Sequence, residues 1–303
     1  MSKIGFIGLG RMGRPMASNL QRKGFDLLVH DLNAASVEAL VELGAAAARG
    51  PADIAAQCDL IFTMLPATQD VEQVVLGPAG LTVNARPATV IVDMSTIDPK
   101  GTDRIAAGVK AAGMSMVDAP VGRLASHADR GECLFMVGAS ATDFARIRPM
   151  LEAMGTTIHH CGEVGTGTRT KLVNNYLAVV SCQLNAEALA LSQSFGLSLE
   201  KTLEVIHGTT ATNGQLKIAW PTKVLVDDIE PGFAIDLAHK DLSLIVAAAN
   251  DNGVPVPVAA AAREAYNMAR AASFGRKDFS AMVDVLCELA SIEKPRLPNK
   301  QPN

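Results

Sequence analysis

Residues 3–13 read KIGFIGLGRMG, and this stretch decides the fold. A short apolar run leads into a glycine-rich turn, and a helix-like segment, RPMASNLQRKG, follows and ends at Gly24. The turn contains Gly8, Gly10, Arg11, Met12 and Gly13. In the pattern GxGxxG the first glycine permits a tight turn, the second lets the backbone approach a diphosphate, and the third lets helix and strand pack closely. The free N–H groups at the helix N-terminus favour a phosphate, so the sequence predicts a dinucleotide-binding turn.

An aspartate closes the next strand-like run, DLLVHD, which ends at Asp31. A carboxylate in this place accepts hydrogen bonds from the ribose hydroxyls of NAD and repels the 2′-phosphate of NADP. Leu32 and Asn33 follow, so no arginine stands directly after Asp31 to bind that phosphate. We therefore expect NAD(H) as the cofactor. The alternative is a glycine-rich turn with an incidental aspartate, which the complete order of strand, turn, helix and acid disfavours.

Further apolar runs alternate with helix-like segments through the first half of the chain. They are DLIFTMLP, ATVIVDMST, MSMVDAPV, ECLFMVGA and TTIHHCG. Apolar runs without polar alternation are typical of strands that are buried on both faces of a parallel sheet. The alternating order predicts an α/β, doubly wound Rossmann domain that binds NAD and spans residues 1–164.

Two of these runs end in residues that are placed to contact the cofactor. In doubly wound folds the ligand binds at the carboxyl ends of the strands. Leu65, Pro66 and Thr96 are therefore candidate cofactor-binding residues, with Thr96 near the nicotinamide ribose. Ordinary turn chemistry before Asp98 and Pro99 accounts for Thr96 equally well, and both interpretations stay open.

Helical patterns replace strand patterns from residue 165 onward. Residues 168–196 are apolar on almost all sides, which predicts a long central helix buried in a helical domain. Further helices are expected at LEKTLEVIHG, QLKIAWPTKVL, DLAHKDLSLIVAAANDNG, VAAAAREAYNMARAAS and DFSAMVDVLCELA. We expect an all-α substrate and oligomerisation domain over residues 165–292. Residues 293–303 are polar and rich in proline, which predicts a flexible tail.

The composition argues against several classes of protein. The chain has 303 residues, of which 49% are hydrophobic and 19% charged, and its formal net charge is −4. Without a basic cluster we expect no nucleic-acid partner. No apolar run approaches the roughly 18 to 20 residues of a membrane span, and a strand that begins close to Met1 argues against a signal peptide. These features favour a cytoplasmic protein with no membrane partner.

The five cysteines are widely spaced and form no CxxC motif, which favours reduced thiols in a cytosolic protein. His159, His160 and Cys161 are consecutive and suggest a metal site at first sight. Neighbouring residues on a strand point to opposite faces, however, so these three side chains do not easily converge on one ion. We expect no metal.

Four motifs resemble those of one family. FIGLGRMGRPMASNL, DAPVGR, GTGTRTKLVNNY and DLAHKDL occur in the order and spacing of the β-hydroxyacid dehydrogenases, and the resemblance covers the chain from Lys3 to about Ile292. It implies a Rossmann domain followed by a helical domain, a small anionic aldehyde or hydroxy acid as substrate, and a homodimer or homotetramer.

The resemblance also implies roles for individual residues. It makes Lys171 the general acid in reduction and the general base in oxidation, which suits an alkoxide that needs a proton after hydride transfer. It implies that Asn174 and Asn175, on the same helical face as Lys171, orient the substrate. Lys240, in the motif HKDL, matches a second lysine that reaches both cofactor and substrate. A solvated surface lysine is the alternative for Lys171 and for Lys240.

The loop after the DAP motif departs from the usual family pattern, DAPVSGG. Here Gly122 replaces the serine and Arg123 replaces the next glycine. Arginine binds oxyanions with a planar array of donors and is always charged. This variant resembles the family members that reduce 3-sulfolactaldehyde to 2,3-dihydroxypropane-1-sulfonate, which implies that Arg123 binds a sulfonate. Ser126 follows nearby without an assigned role, and His127 is interpreted as a surface histidine, with contact to the anion as the alternative.

Other functions stay open at this point. Arginine binds carboxylates as well as sulfonates, so Arg123 also fits a reductase of succinic or tartronate semialdehyde, or a 3-hydroxyisobutyrate dehydrogenase. An imine reductase shares the architecture, but such enzymes lack a lysine at the position of Lys171. A non-catalytic NAD-binding protein is the remaining alternative, and the presence of Lys171 and Asn175 disfavours it.

Overall fold

The structure is a computed structural model that describes residues 3–298. The chain divides into two compact units, Met1–Lys171 and Leu172–Asn303. The sequence predicted a boundary between residues 164 and 165, before helix α9 (Thr166–Ser194). In the structure the boundary lies inside this helix, because its first turn bonds to the first unit.

A single mixed sheet of nine strands organises the first unit within residues 3–171. The strands are β1 (Ile4–Ile7), β2 (Leu27–His30), β3 (Ala46–Ala47), β4 (Leu60–Thr63), β5 (Val90–Asp93), β6 (Ser115–Asp118), β7 (Val121–Gly122), β8 (Cys133–Gly138) and β9 (Gly155–Gly162). Their order is β3-β2-β1-β4-β5-β6-β8-β7, with β9 beside β8. The first six strands pair in parallel, and the order reverses between β1 and β4. This confirms the predicted doubly wound fold, although β8 runs antiparallel to β6 and β7.

Helices cover both faces of this sheet. They are α1 (Gly13–Arg22), α2 (Ala34–Val41), α3 (Pro51–Gln57), α4 (Thr68–Leu76), α5 (Leu81–Asn84), α6 (Pro99–Ala111), α7 (Ala125–Asp129) and α8 (Ala141–Met154). Consecutive strand residues enter different cores: Phe6 packs in one cluster and Ile7 in the other. The strands are apolar without alternation because both of their faces are buried.

Helices and connecting loops make up the described residues of the second unit, which confirms the predicted helical domain. Its helices are the remainder of α9, α10 (Leu199–His207), α11 (Ile235–Asp251), α12 (Pro257–Ala271) and α13 (Met282–Ala290). Its core contains Trp220 and Tyr266, both fully buried. Within residues 3–298, even the longest helix lacks the apolar length that crossing a bilayer requires.

Two segments of the second unit differ from the sequence-based expectation. The helix predicted at QLKIAWPTKVL is not one regular α-helix: a π-helix at Gln215–Ala219 is followed by short 3-10 helices at Trp220–Thr222 and Val224–Val226. Pro221 supplies no N–H and so removes one backbone hydrogen bond of an α-helix, which favours the irregular path here. The described part of the predicted tail, residues 293–298, makes specific contacts instead.

These contacts fasten the segment to the helical core. The guanidinium of Arg296 donates to both oxygens of the buried Asp284 at 2.9 and 2.7 Å, and Leu297 N–H donates to Leu225 O at 2.7 Å. A buried carboxylate requires a partner, and Arg296 provides it.

Candidate active site

Each of the three glycines of the N-terminal turn is explained by a different structural requirement. Gly8 has a φ of +96°, and a side chain there would collide with the carbonyl of Met64. A side chain at Gly13 would collide with the carbonyl of Gly8, so Gly13 permits the close packing of α1 on β1. A Cβ at Gly10 would meet no protein atom within 4 Å. This open space beside a helix N-terminus fits the diphosphate of a dinucleotide.

Asp31 is tied to the same turn. Its carboxylate accepts hydrogen bonds from Leu9 N–H at 2.5 Å and from Asn33 N–H at 2.7 Å. It follows β2, next to β1 in the sheet, so the acid and the glycine turn lie at the same edge. Arg11 is exposed and Met12 half-buried within the turn itself.

A buried carboxylate that the sequence analysis missed fastens the ends of β4 and β5. Asp93 accepts from Thr63 Oγ1 at 2.8 Å and from Ser95 Oγ at 2.6 Å. Ser95 Oγ in turn accepts from Leu65 N–H at 2.8 Å. The segments that carry Leu65 and Thr96 are therefore joined at the carboxyl edge of the sheet. An acid at the end of a buried strand was the available signal.

Pro66 and Thr96 follow β4 and β5 at that edge, Pro66 exposed and Thr96 half-buried. Together with Gly10 and Asp31 they lie along the carboxyl ends of β1, β2, β4 and β5, the place where this fold binds its ligands. This part of the chain can hold the dinucleotide from the ribose hydroxyls at Asp31 to the residues after β5.

Lys171 is nearly buried, with 9% of its surface exposed. Its Nζ donates a hydrogen bond to the carbonyl of Val121 at 2.7 Å. Val121 and Gly122 form the short strand β7, and Arg123 follows it directly. The interpretation of Lys171 as a solvated surface lysine is therefore wrong.

Asp118, at the end of β6, is 1% exposed and holds the first turn of α9. Its carboxylate accepts from Gly165 N–H and from Thr168 N–H, both at 2.6 Å. Burial raises the pKa of Asp118 to about 6, although the two N–H donors oppose this effect. The sequence analysis quoted this residue within a motif but gave it no role.

Arg123, directly after β7, has an unusual backbone conformation. Arg123 has a φ of +72°, a region that favours glycine. Its exposed guanidinium donates to Glu132 O at 2.7 Å and to the hydroxyls of Thr156 and Thr157, each at 2.9 Å. Gly122 is buried, and a side chain there would press on Leu134.

His127 lies on the short helix α7, close to this loop. It is half-buried, and its Nδ1 has no hydrogen-bond partner among residues 3–298. Burial, followed by the charges of Arg130 and Arg123, lowers the pKa of His127. Ser126 is exposed beside it.

The remaining predicted residues form a polar cluster inside the second unit. Asn174 Nδ2 donates to Asn175 Oδ1 at 3.1 Å, and Asn175 Nδ2 donates to Asp241 Oδ2 at 2.5 Å. Lys240 Nζ lies 3.4 Å from Asp241 Oδ1. The sequence analysis placed both asparagines and Lys240 toward the substrate, and it did not identify Asp241 as the common partner of Asn175 and Lys240.

The consecutive His159, His160 and Cys161 do not form a shared site. His160 stacks on Phe144 with ring centroids 4.4 Å apart, and its Nε2 lies 2.8 Å from Ala139 O. Across the described residues, no three His, Cys, Asp or Glu side chains are grouped as metal ligands.

Comparisons with known proteins match both parts of the chain. Residues 3–162 match the family described as the NAD binding domain of 6-phosphogluconate dehydrogenase, and residues 165–286 match the NAD-binding family of NADP-dependent 3-hydroxyisobutyrate dehydrogenase. The chain is 43% identical to the 3-sulfolactaldehyde reductase of Escherichia coli, over 94% of this chain and 95% of that protein.

Two further relatives extend the comparison. The chain is 39% identical to the 2-(hydroxymethyl)glutarate dehydrogenase of Eubacterium barkeri, over 96% of each protein. Its fold matches the Mycobacterium tuberculosis 3-hydroxyisobutyrate dehydrogenase solved with L-serine, with a TM-score of 0.88, 33% identity, and coverage of 94% and 99% of the two chains. The glycine turn, the buried lysine and these matches agree, and the protein belongs to the 3-hydroxyisobutyrate dehydrogenase-like family of β-hydroxyacid dehydrogenases, NAD-dependent oxidoreductases that act on CH–OH groups.

Proposed function

We propose that this enzyme reduces 3-sulfolactaldehyde to 2,3-dihydroxypropane-1-sulfonate with NADH and also catalyses the reverse reaction. One observation carries the proposal. Val121, whose carbonyl accepts the hydrogen bond from the Lys171 ammonium, stands two residues before Arg123. One short loop thus supplies a guanidinium and anchors a lysine, the two groups that an anionic aldehyde needs. The 43% identity to a 3-sulfolactaldehyde reductase supports the same substrate.

Lys171 is the proton donor in this proposal. NADH supplies the hydride to the carbonyl carbon when it is bound. The carbonyl oxygen then becomes an alkoxide, and Lys171 Nζ transfers a proton to it, which completes the alcohol; oxidation reverses both transfers. The hydrogen bond to Val121 O, at 2.7 Å, fixes the position of Nζ. A fixed donor avoids the cost of orienting it at the moment of reaction.

Arg123 binds the sulfonate. Its bonds to Glu132, Thr156 and Thr157 use both hydrogens of one terminal nitrogen and one hydrogen of the other. Within the described residues, these bonds leave two of its five N–H donors for an anion.

The other predicted residues have supporting roles. Gly122 allows β7 to lie close to β8, because a side chain at this position would press on Leu134. Asn175 follows Lys171 by one turn on the continuous helix α9, and it presents an amide to the substrate together with Asn174. Lys240, whose charge Asp241 balances, offers ammonium hydrogen-bond donors to the anion and the cofactor.

A carboxylate semialdehyde is the alternative substrate, because a guanidinium binds carboxylates equally well. Succinic semialdehyde, tartronate semialdehyde and the 3-hydroxyisobutyrate pair belong to this class. The 39% identity to 2-(hydroxymethyl)glutarate dehydrogenase supports a carboxylate substrate as this alternative.

The deciding experiment compares NADH oxidation with 3-sulfolactaldehyde and with succinic semialdehyde. We expect kcat/KM to be higher for the sulfonate by roughly 100-fold, which corresponds to about 2.7 kcal/mol. Equal or reversed values would assign the enzyme to the carboxylate class. Lys171→Ala should lower kcat strongly while NADH still binds, and normal turnover of this variant would remove Lys171 from the mechanism.

We also infer that the protein is a homo-oligomer, a dimer or a tetramer. Within the second unit, an exposed apolar stripe runs along α9. Val173, Leu177, Leu184 and Leu191 are 66%, 66%, 53% and 55% exposed, and their spacing of four and seven residues places them on one helical face. A cavity of about 330 Å³ lies beside it. Its lining is Val180, Gln183, Leu184, Glu187, Pro257, Val258, Ala261 and Ala262.

An apolar stripe of this kind is typical of a surface that a second copy covers. Light scattering after gel filtration measures the mass. Leu177→Asp should reduce the mass toward that of one chain, whereas Val83→Asp, at an exposed position of the first unit, should not. A wild-type enzyme that is monomeric at micromolar concentration would refute the inference.

A further inference from the structure

The N-terminus of helix α9 has no capping side chain of its own. The helix begins at Thr166, and the preceding residue is Gly165, which has no side chain and a φ of +91°. The first N–H groups of a helix need acceptors, and a buried helix end without them is destabilised. Here the acceptor comes from a distant part of the chain.

That acceptor is the carboxylate of Asp118, 47 and 50 positions before its two partners. One oxygen accepts from Gly165 N–H and the other from Thr168 N–H, each at 2.6 Å. A negative charge at a helix N-terminus also interacts favourably with the helix dipole. Asp118 therefore fixes both the position and the direction of the first turn of α9.

Glycines keep the space around this carboxylate open. A side chain at Gly138 would collide with Asp118 Oδ1. A side chain at Gly167 would lie 2.7 Å from the carbonyl oxygen of Asp118. The close approach of α9 to β6 and β8 thus depends on residues without side chains.

The contacts form a closed ring. From Asp118 the chain runs through β7 to Val121, whose carbonyl accepts from Lys171 Nζ at 2.7 Å. From Lys171 the helix runs back one turn to Thr168, whose N–H bonds to Asp118. All four residues belong to the first unit, and all four are buried. A shift of the helix turn would therefore move Nζ away from the loop that carries Arg123.

We propose that Asp118 is a positioning residue for Lys171, which it acts on through the first turn of α9 and the Val121 carbonyl. This inference rests on the proposed role of Lys171 as proton donor. Asp118 makes no contact with the reacting atoms in this proposal. Its carboxylate holds the lysine where the alkoxide forms, so its loss slows the chemical step and leaves cofactor binding unchanged.

Asp118→Asn is the first variant to test, because the amide has the same shape but offers only one acceptor oxygen to two N–H donors. A displacement of reacting groups by about 1 Å can cost on the order of 100-fold in rate. We expect kcat to fall by roughly 10- to 100-fold, and the Kd for NADH to change by less than about twofold. Wild-type kcat, or an equal loss of NADH binding, would overturn the proposal.

A double-mutant comparison separates positioning from general damage. If Asp118 acts only through Lys171, Asp118→Asn should have no further effect on kcat in a Lys171→Ala background. If the two effects multiply, Asp118 does not act through Lys171 and the proposal fails. If Lys171→Ala alone has normal turnover, the proposed proton donor fails instead, so the two failures are distinguishable.

Acylation of Lys171 gives a readout that needs neither cofactor nor turnover. The cofactor-free protein is labelled with acetic anhydride, and mass spectrometry compares the rate at Lys171 with the rates at exposed lysines. The rate at Lys171 should rise several-fold in Asp118→Asn, because Nζ loses its fixed place at Val121 O. An unchanged rate would contradict the proposal.

Ser140→Ala is the matched control. Ser140 Oγ accepts from Asp143 N–H at 3.1 Å and caps α8, a helix of the same unit that carries no part of the proposed site. Both variants should lower the melting temperature, but only Asp118→Asn should change kcat and Lys171 labelling. If Asp118→Asn does not fold, Asp118→Ser, a smaller replacement that keeps one acceptor, is measured in the same way.

Discussion

The side-chain amide of Asn175 donates a hydrogen bond to the carboxylate of Asp241 at 2.5 Å, across 66 positions of sequence. Asp241 is 2% exposed and also lies 3.4 Å from Lys240 Nζ. The bond joins α9 to α11 inside the second unit. Two motifs that are separate in the sequence thus form one polar cluster, in which a buried carboxylate orients the amide and balances the charge of Lys240.

Replacement of Asp241 by asparagine should therefore lower kcat/KM. Loss of a hydrogen bond to a charged group costs about 1.5 to 3 kcal/mol, or roughly 10- to 150-fold. Steady-state kinetics with the preferred aldehyde measure the effect. Asp236→Asn, at an exposed acid of the same helix that pairs with Arg270, is the control and should change kcat/KM by less than about twofold. Wild-type kinetics for Asp241→Asn would limit this carboxylate to a role in folding.

Gly10→Ala should weaken cofactor binding without destabilising the protein. The added methyl group would meet no protein atom within 4 Å, but it would occupy the space that the diphosphate needs. We expect the Kd for NADH to rise at least about tenfold, or 1.4 kcal/mol, in a fluorescence titration. Gly13→Ala is the contrasting variant. Its methyl group would collide with Gly8 O, so it should lower the melting temperature of the cofactor-free protein.

The sequence predicted features whose cause is local. The glycine turn, the unbroken apolar strands and the long helix each follow from neighbouring residues, and the structure has them as expected. The two-residue strands Ala46–Ala47 and Val121–Gly122 are too short to show any periodicity. They form because neighbouring strands offer them partners.

Interactions between distant residues could not be predicted. The partners of Asp118 are N–H groups of Gly165 and Thr168, which carry no side-chain signal. The bond between Arg296 and Asp284 turns a polar, proline-rich segment into an ordered one, although its composition is typical of a tail. In each case a buried carboxylate binds a partner that is distant in the sequence and comes close to it only in the folded protein.

The stability of the fold should depend on pH through Asp118. Burial raises its pKa to about 6 in the folded protein, whereas an unfolded chain gives aspartate a pKa of about 3.9. Between these values the folded state keeps a proton that the unfolded state has lost. The stability from this group is therefore fully present below about pH 4 and is lost as the pH rises through about 6, by on the order of 3 kcal/mol.

Urea unfolding at a series of pH values from about 4 to 7.5 tests this dependence. The free energy of unfolding of the wild type, relative to that of Asp118→Asn, should decrease over this range and become constant near its upper end. The variant removes only the titration of Asp118, so other groups cancel in the difference. A difference that does not vary with pH would mean that Asp118 has the same pKa in the folded and unfolded chains.

Arg123→Gly should separate the cost of a strained backbone from the benefit of an anion-binding side chain. Arg123 has a φ of +72°, which costs a residue other than glycine roughly 1 to 2 kcal/mol. Glycine relieves this strain, so the loss of the exposed hydrogen bonds to Glu132, Thr156 and Thr157 should leave the melting temperature almost unchanged. The KM for the anionic aldehyde should nevertheless rise by roughly 30- to 1000-fold, because a charge-assisted contact contributes about 2 to 4 kcal/mol. Arg130→Ala, at an exposed arginine that pairs with Glu132, is the control and should keep a normal KM. A normal KM for Arg123→Gly would mean that Arg123 only ties β7 to β9, and the strain at this position would then have no function in substrate binding.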